Sequence, residues 1–242
     1  MGVDYITFAG KSSKDFSAYI YDSAGQTLPE REYETVSIPG RSGELLISKD
    51  RMANVTKEYT AVFSQPEAMA NKDNMLSYLL SFTGYQRLES SFETDCYRMA
   101  KFAGGSEFKT DRLRSIAVVP LSFECKPQKW LLSGEKGVET TAAITLKNPT
   151  FFDAKPLIRV YGYGDLTVGS RKLTLSAHTQ AYMDIDCELC ECSCGSVNLN
   201  AYCKAASTAD DNFPVLARCE ETKVAFTSTI TKIIVTPRWW KI

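Results

Sequence analysis

Asn148–Gly164, reading NPTFFDAKPLIRVYGYG, decides how the chain is divided. Pro149 and Pro156 each lack a backbone donor and push the residue before them towards extended geometry, so neither a helix nor an interior strand is expected to run through both. Leu157-Ile158-Arg159-Val160-Tyr161 then takes up a β-rich pattern, closed by Gly162 and Gly164. An aromatic linker followed by the opening strand of a second domain is expected here. Two modest domains describe 242 residues better than one large core. The expected boundaries are 1–130 for the first domain, 131–147 for a linker or inter-domain segment, and 148–242 for the second domain.

Upstream of the seam, Ile116–Lys126 is the strongest strand, with Ile116, Val118, Leu121, Phe123 and Cys125 as its apolar positions. Pro120 falls where their parity shifts, which predicts an edge or bulged strand. Further back, Pro66 and Glu67 suit the first turn of a helix, and Met69, Met75, Leu76, Leu79, Leu80 and Phe82 supply its apolar stripe before a stop at Gly84. One helix of about four turns is expected, beside strands at Tyr5–Phe8, Phe16–Tyr21, Glu32–Ile38, Lys57–Phe63, Gln86–Leu88 and Cys96–Met99. In Glu32–Ile38 the apolar positions change parity between Tyr33 and Val36, which a bulge accommodates. Pro39-Gly40-Arg41-Ser42-Gly43 follows as a turn able to approach another surface closely; it lacks the glycine spacing and the lysine of a phosphate-binding loop.

Downstream, short runs recur at Leu166–Val168, Lys172–Leu175, Tyr182–Leu189, Val197–Leu199, Phe213–Leu216, Lys223–Phe226 and Thr231–Thr236. Such spacing favours a sandwich or jelly roll over a parallel nucleotide-binding fold. The expected fold class is mainly β. At 44% hydrophobic and 24% charged the composition is that of a folded globular chain, and a net charge of -1 supplies no field for nucleic acid or an anionic membrane. No run approaches the ~20 apolar residues of a membrane span, and MGVDYITFAGKSSKDF lacks the basic head and apolar core of an export signal.

Four groups of residues carry potential chemistry. Cys187, Cys190, Cys192 and Cys194 have one CxxC spacing, and a bend could bring their thiolates round a zinc ion; buried or disulfide-forming thiols are the competing reading, and no metal is assigned. A regular strand would put Cys190, Cys192 and Cys194 on one face. His178, the single histidine, sits in a turn with no local nucleophile or orienting group, so no catalytic residue is assigned. Asp184 and Asp186 share a strand face, either as an acid pair or oxygen-ligand site or as ordinary solvated residues. Trp239 and Trp240 close a terminal core or assembly contact, the alternative being a stacking platform for a sugar or base, with Arg238 beside them to pair an acid or stack against an aromatic surface.

Taken in order, Ser37-Ile38-Pro39-Gly40-Arg41-Ser42-Gly43, the seam, Asp184-Ile185-Asp186 and Thr236-Pro237-Arg238-Trp239-Trp240-Lys241-Ile242 form a pattern that resembles the distal tail protein family of long-tailed bacteriophages and related prophages. The resemblance implies an N-terminal β-rich ring-forming domain with one helix, followed by a galectin-like β-sandwich. It implies a homo-hexamer or stacked hexamers between the tail tube and the baseplate or fibre proteins, at the distal end of the virion's tail after synthesis in the host cytoplasm. Ring contacts are expected near Pro39–Gly43 and the strands before Pro127. The cysteine cluster is not part of this resemblance. The expected protein is non-enzymatic and without cofactors. A carbohydrate-binding tail module that contacts a cell-envelope glycan is the alternative, and a hydrolase using His178, Asp184 or Asp186 is a third class.

Overall fold

A computed structural model describes residues 4–64, 66–104, 107–205 and 213–242. The chain divides into two compact units, with the break between Lys129 and Trp130. The first unit runs β1 (Ile6–Phe8), β2 (Lys11–Ser12), a 3₁₀ turn (Ser13–Phe16), β3 (Ala18–Gln26), β4 (Arg31–Ser37), β5 (Glu44–Met52), β6 (Val55–Ser64), α1 (Ala68–Leu80), β7 (Gln86–Ser90), β8 (Glu93–Gly104), β9 (Lys109–Thr110) and β10 (Ile116–Leu131), whose last two residues belong to the second unit. The principal sheet has the order β2-β1-β7-β8-β10-β6-β3, with β9 also on β10.

Strict alternation builds this sheet's inner face. On β6, Val55, Tyr59, Ala61 and Phe63 are buried, and on β10, Ala117, Val119, Leu121, Phe123 and Cys125. Antiparallel pairing places Ala117 opposite Phe63, Val119 opposite Ala61, Leu121 opposite Tyr59 and Cys125 opposite Val55, so both apolar sets face the same way. Helix α1 buries Ala68, Met75 and Leu79 at helical spacing against the same cluster. Its expected stripe is corrected in two places. Leu80 points outward, and Lys72 takes a buried position, its ammonium against the Phe108 ring at 3.8 Å and paired with Asp73 at 2.9 Å. Pro66 and Glu67 precede the helix, and Ser81 ends it ahead of Gly84.

Pro120 also departs from expectation. The β6–β10 register runs unbroken from Ile116 to Cys125, and β10 lies between β8 and β6, so the strand is central and unbulged on that side. The inward parity is carried by Ala117 and Val119 rather than by Ile116 and Val118, and it never shifts. An antiparallel residue directs its N–H to one neighbour only, so one proline removes at most one rung.

The second unit continues with a four-residue helix α2 (Leu132–Glu135), β11 (Val138–Thr140), β12 (Ile144–Lys147), β13 (Leu157–Gly162), β14 (Gly164–Val168), β15 (Arg171–Leu175), β16 (Met183–Asp186), β17 (Glu191–Cys194), β18 (Val197–Asn198), a 3₁₀ turn (Asn200–Tyr202), β19 (Cys203–Ala205), β20 (Glu221–Phe226) and β21 (Ile230–Thr236). These strands make one sheet of order β11-β21-β13-β16-β17-β18 and another of order β12-β20-β14-β15-β19. Ile158, Val160, Met183, Ile185, Ile233 and Val235 of the first sheet share one buried cluster with Leu166, Val168, Leu173, Leu175 and Val224 of the second. Two antiparallel sheets therefore enclose a single core.

Residues 131–147, expected as a linker, are instead built into this unit. Val138–Thr140 pairs with β21 and Ile144–Lys147 with β20, each at a sheet edge. The seam itself is an irregular crossing between β12 and β13, held by Asn148. This buried side chain donates to the Phe152 and Leu216 carbonyls at 2.9 and 3.0 Å and accepts from Thr150 N–H and Oγ1–H at 2.9 Å each. Phe213–Leu216, expected as a strand, contributes only an isolated bridge between Leu216 and Ala154.

Candidate assembly surface

Strands β4 and β5 form a two-stranded sheet of their own, with no third strand among the described residues. Their register runs from Ser37 opposite Glu44 to Tyr33 opposite Ser48, then shifts before Arg31 opposite Met52. The irregularity expected between Tyr33 and Val36 lies between Arg31 and Tyr33. The turn is closed by Arg41 N–H donating to the Ile38 carbonyl at 3.1 Å, and Gly40 and Gly43 carry it through positive φ. Open space lies beside both glycines among the described residues.

The hairpin is apolar without being buried. Tyr33, Val36, Ile38, Leu45, Leu46 and Ile47 are all exposed; Leu46 is 61% accessible and Ile47 46%. Neighbouring strand residues point to opposite faces, so Leu46 lies on one side and Leu45 and Ile47 on the other. Neither face has a core beneath it. A lone two-stranded hairpin is marginal in water, and large apolar groups on both faces add the cost of their hydration.

The other residues singled out by sequence occupy the second unit. Asp184 and Asp186 lie on one face of β16, as their spacing implies, but each is held by a different arginine. Arg159 on β13 donates Nε–H and Nη2–H to Asp184 at 2.7 and 2.9 Å, while its guanidinium lies 4.1 Å from the Tyr182 ring centre. Arg238 donates a corresponding pair of hydrogen bonds, from Nη1–H and Nη2–H, to Asp186. A shallow cavity of about 270 Å³ opens beside Arg159 and Asp184, lined also by Gly137, Leu157, Ile234 and Thr236. Sequence reasoning expected Arg238 to pair an acid without naming Asp186, and it did not assign Arg159, because the register that brings Arg159 to β16 is not visible in local spacing.

Trp239 is buried in the second unit's core, and Trp240 stacks on Phe152 with ring centres 4.1 Å apart while its indole N–H donates to the Asp153 carbonyl at 2.9 Å. The terminal aromatics thus close on the seam, leaving neither as an open stacking platform. His178 packs edge-on against Tyr202, and its two buried ring nitrogens have no hydrogen-bond partner among the described residues.

The four clustered cysteines fall in different environments. Cys190 lies in the turn before β17 with φ 55° and is exposed, so the regular strand expected to align it with Cys192 and Cys194 does not include it. Cys187 and Cys192 are buried, and Cys194 is half-buried. Among the described residues no group of three or more His, Cys, Asp or Glu side chains is arranged to hold a metal ion. Burial raises the Cys187 thiol pKa well above the ordinary value.

No family profile and no curated protein matches the sequence. Solved structures do match in fold. The SPP1 Dit (gp 19.1) protein, described as a paradigm of the hub adsorption apparatus in phages infecting Gram-positive bacteria, superposes with a TM-score of 0.71 at 13% identity, covering 100% of both chains. A chain of the phage P2 baseplate in its activated conformation with Ca gives 0.53 at 8% identity, and the corresponding structure with Sr gives 0.51 at 9%. Each covers 97% of this chain and 98% of the other. The mainly β architecture described above is thus the fold of the SPP1 Dit protein from end to end.

Proposed function

We propose that this chain is a non-enzymatic structural protein of a phage tail tip, forming a ring that joins the tail tube to the baseplate or host-recognition apparatus. The observation that carries this reading is the β4–β5 hairpin, an exposed apolar arm that pairs with no third strand among the described residues. A heterologous contact, in which the arm of one subunit lies on a different surface of the next, closes into a ring when the rotation permits. Full-length likeness to a phage adsorption-hub protein supports the setting, and the two-sheet second unit suits a galectin-like platform at the periphery. A homo-hexamer or a stacked pair of hexamers is the assembly expected.

The experiment is light scattering after size-exclusion chromatography across protein concentration. A closed hexamer or its stacked pair supports the ring. A monomer at every concentration, and again in mixtures with tail-tube and baseplate proteins, rejects it.

Glycan binding is the second reading, favoured by the cavity where the Arg159–Asp184 pair adjoins Tyr182. Selective glycan capture that vanishes in Tyr182→Ala, with assembly unaffected, would establish that role. Capture unchanged by the substitution would remove this cavity from consideration.

A further inference from the structure

We propose that the β4–β5 arm of one subunit docks on the outer face of a second copy's principal sheet, where β3, β6 and β10 lie side by side. The inference rests on the ring reading above and names the surface that receives the arm.

Strand register builds this face. Alternation sends Tyr59, Ala61, Ala117 and Val119 inward, so Val62, Val118 and Pro120 point outward. Tyr19 lies opposite Val62, Val62 opposite Val118, and Val118 opposite Lys109 of β9. Paired residues share a face, so these side chains form one row across β3, β6, β10 and β9. Two residues along the strands, Tyr21 and Pro120 flank Thr60 in a second row. Helix α1 packs against the inner face. On the outer face Tyr19 is 44% and Tyr21 61% accessible, while Val62, Val118 and Pro120 are half-buried. A contiguous aromatic and aliphatic surface of this kind marks an interaction site.

The arm matches it in shape and charge. Glu34 lies opposite Ile47 and Val36 opposite Leu45, so these four side chains share one face of the hairpin. That face sets one carboxylate beside three exposed apolar groups. The acceptor sets one cation, Lys109, at the end of its apolar row. Among the described residues Glu34 pairs with no cation and Lys109 with no carboxylate. With Glu34 placed at Lys109, Ile47 lies along Val118 and Val62, and Val36 and Leu45 lie on the row of Pro120 and Tyr21. The two sheets then stack face to face at the usual separation of about 10 Å.

The occupant is a second copy because both surfaces are exposed within one chain, so neither covers the other there. Each subunit offers one arm and one acceptor. Donor and acceptor are different surfaces, so the contact is heterologous and passes from copy to copy until the ring closes.

The test is light scattering after size-exclusion chromatography on full-length Glu34→Lys, Lys109→Glu, the double charge swap and Tyr21→Glu, each beside a thermal melt. All four changes fall on exposed side chains, and unchanged subunit melts are expected. Each single swap should raise the concentration needed for assembly by about tenfold or more. The double swap should restore assembly to the parent's concentration range, and Tyr21→Glu should give monomers. Rings that form as in the parent in Lys109→Glu and Tyr21→Glu overturn this docking and leave the ring reading standing. Weakened single swaps that the double swap does not rescue also overturn it, since Glu34 and Lys109 then do not meet. A parent chain that stays monomeric at every concentration, alone and with tail proteins, removes the ring reading and this contact together. The three charge swaps suffice for the decision should Tyr21→Glu fail to fold.

Discussion

Arg238 holds Asp186 through two parallel hydrogen bonds, Nη1–H to Oδ1 and Nη2–H to Oδ2, each 2.8 Å long. The same carboxylate accepts from the N–H groups of Glu188 and Leu189 at 3.0 and 3.2 Å, so the chain's terminal stretch is tied to the turn after β16. Burial alone would raise the Asp186 pKa, but Arg238 and the two backbone donors outweigh it and hold the carboxyl below its ordinary range. A carboxyl depressed by folding stabilises above its unfolded pKa and loses that contribution as pH falls through the folded value. The contribution is therefore full above about pH 4 and declines below it. Asp186→Asn should cost about 2 kcal/mol at neutral pH by replacing charge-assisted bonds with weaker ones. Urea unfolding of parent and variant at neutral and acidic pH checks this; a stability gap that does not narrow in acid contradicts the assignment.

What could be read from sequence follows from how local each signal is. The alternating apolar residues of β6 and β13 and the helical spacing of Met75 and Leu79 specify their elements directly. Asp184 and Asp186 were placed on one face by period two alone. Their arginines lie far along the chain, and only antiparallel register delivers Arg159 to Asp184. The short strand β19 escaped notice because so few residues establish no period, and its cysteine, like those of β17, suits a core as well as a metal. Val138–Thr140 resembled linker because sheet edges tolerate polar and exposed residues.

Gly162 illustrates a restraint that a turn-rich sequence only hints at. It sits where the β13–β21 register shifts, at φ 111°, and an added Cβ would collide with the Thr229 carbonyl oxygen. Gly43 also has positive φ, but open space surrounds it. Gly162→Ala should therefore cost 3 kcal/mol or more, roughly, whereas Gly43→Ala should cost about 1 kcal/mol from backbone strain alone. Parallel thermal melts of the two variants decide the matter. Equal losses would show that the Thr229 contact is not the governing restraint.

Asn148 is the polar keystone of the seam. Replacing it with Ala leaves the buried Thr150 N–H without this partner, takes one of two donors from the Phe152 and Leu216 carbonyls, which keep Thr150 Oγ1–H and Ala154 N–H, and removes a residue that is 1% exposed. Each buried group left unpaired costs on the order of 1–3 kcal/mol, so a total of about 3 kcal/mol is expected after relaxation. Asn148→Asp retains the acceptor for Thr150 but loses both amide donors, and should be comparably destabilised. Chemical denaturation of both variants tests the bonding pattern. An Asp variant as stable as the parent would show that the two carbonyl contacts contribute nothing.

The exposed hairpin separates assembly from folding. Leu46 and Ile47 point to opposite faces of β5, and neither supports a core within the subunit, so Leu46→Glu or Ile47→Glu should alter subunit stability by no more than about 0.5 kcal/mol. In a ring whose interface covers the arm, either substitution places a desolvated carboxylate against an apolar surface. A loss of several kcal/mol per contact follows, on the order of 3 kcal/mol or more, enough to shift a closed hexamer to monomers at working concentrations. Light scattering paired with thermal denaturation distinguishes the effects. Monomers with an unchanged subunit melt identify the arm as an assembly element. Intact rings in both variants would leave both faces of the arm solvated in the assembly and move the subunit contact elsewhere on the first unit.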